Sequence, residues 1–191
     1  LRGSVGLRAP YSQTRIMQGD RPCGLGESGL VQVRGPQVFA GYVEVEHSAG
    51  VLDAEGWLTT GDIGYLTADE RLVLTGREKD LIVRSGHNID PSAIEEVANR
   101  HPDVLLSAAV GMPDQYAGEV PVLFVVPQPG AELSIPALKQ MLEDNLHEPP
   151  ARPRGIFILA ELPVTAVGKI FKPALRDRAI TEKLLQEVAR I

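Results

Sequence analysis

Lys169 is the residue whose neighbours best suit it to act on an anion. It lies in the run Leu162-Pro163-Val164-Thr165-Ala166-Val167-Gly168-Lys169-Ile170. Pro163 and Gly168 break regular structure, so the lysine is expected to project from a loop and not along a helix face. Gly168, directly before it, lets the backbone come close to a ligand. Most lysines in such loops are only solvated, so Lys169 gains meaning from two other segments. In Leu58-Thr59-Thr60-Gly61-Asp62-Ile63-Gly64 a carboxylate stands between two glycines. The plain reading is an aspartate in a tight turn. The chemical reading is a carboxylate accepting hydrogen bonds from the vicinal hydroxyls of a ribose, with the glycines giving the sugar room. In Gly76-Arg77-Glu78-Lys79-Asp80 the charges are dense enough to be a solvated face, yet Arg77 suits an anion clamp and Lys79 a polar pivot. Beyond it, Ser85-Gly86-His87-Asn88 reads as a flexible loop in which Gly86 could admit a thin, extended ligand.

Other chemistries find no support. Gly24-Leu25-Gly26-Glu27-Ser28-Gly29 spells the dinucleotide fingerprint, but a strand follows it where a helix N-terminus is needed, so it reads as a cluster of turns. The four histidines, His47, His87, His101 and His147, lack metal-ligand spacing with Cys23 or with one another. Neither a serine nucleophile elbow nor a phosphate-cradling Walker loop is present. The net charge of −6 comes without a basic stripe, which argues against nucleic acid as a partner. No apolar run reaches the length of a membrane span and no leader-like segment opens the sequence. Cys23 is the only cysteine, so an internal disulfide is excluded and a reducing, cytoplasmic setting is expected.

The elements that must position these residues change character along the chain. Residues 1–76 are rich in glycine and β-formers, with a strand at Leu30–Arg34 and turn signals at Asp53-Ala54-Glu55-Gly56 and Thr67-Ala68-Asp69-Glu70. After a boundary at 77–80, residues 81–191 follow the order β-α-β-β-α-β with a charged tail helix. Leu81-Ile82-Val83 is the first strand. Asp90 caps a helix that opens with Pro91 and carries Ile94, Val97, Ala98 and His101 on one face. Val104–Val110 and Val122–Val126 are expected to pair across a Pro/Asp/Gly-rich loop. A second helix follows Ser134, Ile156–Leu159 is a strand, and the last helix starts near Pro173. The fold class is therefore α+β: a small β-rich unit, then a compact α+β domain with a mixed sheet and helices on one face.

Taken in order, five of these motifs resemble the C-terminal part of the adenylate-forming superfamily, which includes acyl-CoA synthetases, luciferases and peptide-synthetase adenylation domains. They are Gly29–Gly35 with Gly41-Tyr42, Gly56–Asp62, Gly76–Ile82, Gly86–Pro91 with Ile94-Glu95-Glu96, and Pro163–Ile170. The resemblance runs over nearly the whole chain. It implies an AMP-forming ligase that joins ATP and a carboxylic acid into an acyl-adenylate, then transfers the acyl group to coenzyme A. By motif position, Asp62 holds the ribose hydroxyls, Arg77 lies near the nucleotide, Lys79 is the hinge, Gly86 lines the coenzyme A tunnel, and Lys169 is catalytic in adenylation. Residues 1–76 correspond to the end of the large N-terminal domain, and 81–191 to the mobile C-terminal domain. ATP and Mg2+ are held mainly by the remainder of the N-terminal domain.

The family's Ser/Thr/Gly-rich phosphate loop and most of its acyl pocket are absent from this stretch. Leu1 is not an initiator methionine, which suggests a piece of a longer chain that is inactive alone. Glu148-Pro149-Pro150-Ala151-Arg152-Pro153 also lacks the aromatic-Lys pair common in the family. A carrier protein could replace coenzyme A as acceptor, and a non-catalytic binding or regulatory module is the rival from another class. A scaffold needs none of Asp62, Arg77 and Lys169, which favours the ligase. The acid, whether fatty, aromatic or alicyclic, is not specified by these residues.

Overall fold

Glycine-bounded runs of β-formers make the first part of the chain a sheet. Its strands are β1 (Ser4–Leu7), β2 (Gln13–Gln18), β3 (Arg21–Pro22), β4 (Gly29–Arg34), β5 (Leu58–Leu66) and β6 (Arg71–Arg77). They pair antiparallel in the order β1-β6-β5-β4-β2-β3. The computed structural model describes residues 4–44 and 50–188, so His47 lies outside the described residues. The chain divides into two compact units, Leu1–Lys79 and Asp80–Ile191. The first has a small core of Ile16, Val31, Val73 and Trp57. The guanidinium groups of Arg15 and Arg34 lie 4.2 and 4.7 Å from the Trp57 ring, supplying cation–π packing that the few aliphatic residues do not. Asp53 holds the turn before Trp57 by accepting the N–H groups of Glu55 and Trp57, both at 2.9 Å. Those bonds favour its ionised form, and the Trp57 N–H is the main reason its carboxyl titrates below the usual aspartate range.

In the second unit, β7 (Ile82–Arg84) and β8 (His87–Ile89) form a hairpin. Helix α1 (Pro91–Ala98) starts where Asp90 accepts the Ser92 N–H, and Pro91 fills a position that needs no donor. Strands β9 (Val104–Asp114) and β10 (Gly118–Pro127) pair antiparallel along their length. Helix α2 (Ile135–Asn145) is capped by Ser134, β11 (Gly155–Ile158) joins β10 in parallel, and α3 (Lys172–Val188) closes the unit. The sheet is mixed, as expected. Among the described residues no helix is long and apolar enough to cross a membrane.

Strand alternation sends β9 and β10 side chains to two cores. Ala109, Leu123 and Val125 pack with Ile94 and Val97 of α1 and Leu138 and Leu142 of α2. Ala108, Val110, Val122 and Phe124 pack with Leu175 and Ala179 of α3. The expected helical face is that of α1 and α2, while α3 covers the opposite face. The correction has a simple cause: the central strands are apolar on both sides, and one helical layer would leave Phe124 and Val122 in water. Burying such a phenylalanine and valine stabilises by about 1.5–3 kcal/mol each.

The central hairpin is also longer than the apolar runs suggest. Much of the Pro/Asp/Gly-rich stretch is strand, and the turn is only 115–117, held by Asp114 accepting the Tyr116 and Ala117 N–H groups. Pro113 is tolerated because alternate β9 positions face outward: Ala109 donates its N–H away from β10, to Glu95. Pro121 lies opposite Gly111, between the β10 residues that pair with β7 at Gly118 and with β11 from Val122. Helix α1 stops at Ala98, so His101 lies in the following turn and not on the helix face.

Candidate nucleotide-binding and catalytic sites

Asp62 belongs to strand β5 and not to a tight turn. Leu30 pairs with Ile63 and Gln32 with Thr59, so Val31 alone faces Thr60, Gly61 and Asp62 in a bulge. Gly61 supplies the left-handed conformation this requires, with φ +73. Thr60 Oγ1 fastens the bulge by donating to the Val31 carbonyl at 3.0 Å and accepting the Asp62 N–H at 3.1 Å. A second irregularity follows, because Ile63 pairs with Gly76 and Gly64 with Leu74, leaving Thr75 extra. The two flanking glycines therefore differ in purpose. A Cβ at Gly61 would meet open space, whereas one at Gly64 would strike the Val73 carbonyl. Only Gly61 leaves room beside the carboxylate.

Bulges re-aim side chains, and here Asp62 is set directly across from Arg77. Arg77 Nε lies 3.0 Å from Asp62 Oδ1, with side-chain exposures of 56% and 25%. An ion pair this open contributes roughly 0–1 kcal/mol to stability, so its significance is orientation. A carboxylate has two oxygens and about four lone-pair directions. It can keep one guanidinium contact and still accept a vicinal diol. In the sequence Thr60 is one residue of a motif among others; its role as the bulge fastener follows from the strand register.

Beyond Arg77 the charge run forms a short 3-10 turn, Glu78–Asp80, with Lys79 exposed. Gly86 sits in a tight β7–β8 hairpin and not in a flexible loop. Arg84 pairs with His87, and the two turn residues have φ 49 at Ser85 and 83 at Gly86. Two left-handed residues in a two-residue turn match the twist of the flanking strands. The Ser85 N–H also donates to Ala117 O at 2.8 Å, fixing the turn against the β9–β10 tip.

Lys169 projects from a loop, as its breakers require. Val164 and Ile170 form an isolated antiparallel bridge, and the Thr165 N–H donates to Lys169 O at 2.7 Å. The Gly168 N–H donates back to Thr165 O at 2.8 Å, with Gly168 at φ 77. This is a hairpin turn closed by a left-handed glycine. The Lys169 N–H reaches Thr165 Oγ1 at 3.2 Å, and the residue is exposed. Within the second unit Lys169 and Gly86 stand on separate hairpins. Among the described residues no group of three or more His, Cys, Asp or Glu side chains is placed to hold a metal ion.

Residues 93–169 match the AMP-binding enzyme C-terminal domain family. The chain is 46% identical over 184 residues to marinolic acid–CoA ligase of Pseudoalteromonas sp. (strain SANK 73390), covering 93% of this chain and 28% of that protein. Among solved structures, amide bond synthetase McbA from Marinactinospora thermotolerans is 34% identical with a TM-score of 0.83, over 92% of this chain and 36% of McbA. O-succinylbenzoate coenzyme A synthetase (MenE) from Bacillus subtilis, in complex with ATP and magnesium ion, is 30% identical with a TM-score of 0.80. The likeness to MenE covers 93% of this chain and 35% of that protein. The chain thus spans about a third of the length of the proteins it matches.

Proposed function

We propose, from the chain's membership of the adenylate-forming, AMP-binding ligase superfamily and its match to the C-terminal region of those enzymes, that it is the C-terminal part of an ATP-dependent acid–thiol ligase. The observation that carries the proposal is the Asp62–Arg77 pair: two residues singled out in separate motifs are cross-strand partners at a bulge beside an open glycine. In the first step a carboxylate oxygen of the acid attacks the α-phosphorus of ATP, and the bond to the bridging oxygen breaks to release pyrophosphate. In the second, the coenzyme A sulfur attacks the acyl carbon, the thiol proton is lost and AMP leaves.

Each residue then has a task. Asp62 accepts the ribose hydroxyls and Arg77 orients its carboxylate toward the nucleotide. Lys169 places its ammonium between the acid's carboxylate and the α-phosphate oxygens. Two anions approach slowly unless a fixed cation offsets the charge that accumulates between them, and a compact ammonium serves as that point charge. The cation must then withdraw so that a thiol can reach the acyl carbon, a task suited to a separately folded unit turning at Lys79. Gly86, at the tip of its hairpin, lines the path of the pantetheine arm.

The chain on its own is expected to bind ATP weakly and to show no ATP–pyrophosphate exchange with decanoate, cinnamate or cyclohexanecarboxylate. The complete ligase is expected to exchange with at least one such acid class. Exchange by the 191-residue chain alone would contradict the assignment of the phosphate grip to the rest of the polypeptide. A second acceptor, an amine in place of the thiol, is favoured by the likeness to an amide bond synthetase. Supplying coenzyme A and a simple amine in parallel to the acyl-adenylate distinguishes the two.

A further inference from the structure

Glu95 and Asp80 take no part in the site described above, yet each pairs with a cation on the first turns of α3, immediately after the Lys169 loop. Lys172 Nζ lies 2.8 Å from Glu95 Oε1, with side-chain exposures of only 17% and 20%. The same oxygen accepts the Ala109 N–H at 2.8 Å. Helix α1, which carries Glu95, packs in the core on one face of the sheet, and α3 packs in the core on the other. The ion pair therefore wraps round the open edge of β9, where the Ala109 N–H points away from β10. One turn further along α3, Arg176 lies 3.0 Å from Asp80 Oδ1, with exposures of 31% and 20%. Asp80 is the first residue of the second unit, directly after Lys79. Residues four apart share a helix face, so Lys172 and Arg176 clasp the edge of the sheet and the start of the unit together.

Resting on the adenylation role given to Lys169, we infer that Glu95 and Asp80 are positioning residues for that lysine. Only Ile170 and Phe171 separate it from Lys172, and the Phe171 N–H is tied to Pro163 O at 2.8 Å. With both pairs in place, the base of the loop is fixed to α1, to β9 and to the point where the chain enters the unit. A turn at Lys79 is then delivered to Lys169 by a rigid body. With the pairs broken, the first turn of α3 is free to shift and the ammonium loses its aim. Misplacement by about 1 Å of a group acting on reacting atoms costs roughly a hundredfold in rate.

The test uses the complete ligase with Glu95→Gln, Asp80→Asn, Lys172→Met, Lys172→Arg and, as a control, Lys169→Ala. Hydrogen–deuterium exchange of the Thr165, Gly168, Lys169 and Phe171 amides reads the brace without reference to activity. ATP–pyrophosphate exchange, with whichever of decanoate, cinnamate or cyclohexanecarboxylate supports it, reads the first step, and thiolysis of supplied acyl-adenylate reads the second. Glu95→Gln and Lys172→Met are expected to speed loop exchange about tenfold, leave the β9–β10 amides protected, and lower adenylation about 10- to 100-fold with thiolysis kept. Asp80→Asn should give a smaller loss of the same kind, and Lys172→Arg should retain most of the rate. Unchanged loop exchange in Glu95→Gln overturns the brace. Faster loop exchange with unchanged adenylation, while Lys169→Ala is inactive, overturns the positioning role alone. If Lys169→Ala itself adenylates normally, the catalytic reading fails, whatever the exchange data show of the brace.

Discussion

Lys169→Ala in the complete ligase is expected to lower the adenylation half-reaction by about 10²–10³, in the range of losing one preorganised oxyanion donor. The residue is exposed on a hairpin turn, so the substitution should leave the melting temperature close to the parent's. The effect belongs to kcat more than to KM, because the ammonium is asked to act where charge builds up and not where substrates are first held. Thiolysis of supplied acyl-adenylate should proceed at close to the parent rate, since the cation is by then withdrawn. Equal loss in both steps would contradict the division of labour between them.

Asp62→Ala is expected to weaken ATP binding about a hundredfold, the loss of two hydrogen bonds to a charged acceptor at roughly 1.5 kcal/mol each. The substitution also leaves Arg77 without the carboxylate that orients it. Asp62→Asn keeps the shape and one acceptor oxygen and should lose less. Because an ion pair this exposed adds little to stability, both variants should unfold near the parent's midpoint. The measurement is the KM for ATP in pyrophosphate exchange alongside the dissociation constant for AMP. An unchanged KM in Asp62→Ala would remove the ribose role.

The parts of this molecule that could be read from its sequence are those governed by local chemistry. Asp90 with Pro91 marks the start of α1, Ser134 that of α2, and Gly168 closes the turn before Lys169; in each case a cap or a left-handed residue specifies the backbone within four positions. What could not be read depends on partners distant in sequence. The bulge that takes Asp62 out of a turn is visible only through its register with β4. The hairpin at Ser85-Gly86 looks like a flexible loop until Arg84 and His87 are seen to pair. The second core against α3 follows from apolar residues on both sides of β10, a pattern that a run such as Val122–Val126 shows without saying what covers each side. Glu95 was visible as part of a motif, but its cation lies 77 residues further on, and no spacing rule connects them.

The same distinction separates the residues of the site from the residues that support them. Asp62, Arg77 and Lys169 stand out because a glycine directly precedes each of them and because their types suit a ribose and two anions. Their supports, Thr60 for the bulge and Lys172 and Arg176 for the base of the loop, are ordinary residues whose significance is entirely three-dimensional.

Restoring the charge by chemistry separates the effect of the Lys169 ammonium from the other effects of mutation. Lys169→Cys is made in the complete ligase with its other thiols replaced, Cys23 among them, and ATP–pyrophosphate exchange is measured before and after alkylation with 2-bromoethylamine. The cysteine form should be silent, and the aminoethyl thioether, which puts an ammonium back at nearly the length of lysine, should recover a substantial part of the exchange rate. A cysteine form that exchanges at the parent rate, or an aminoethylated form that stays silent while retaining thiolysis, would show that adenylation does not depend on an ammonium at position 169.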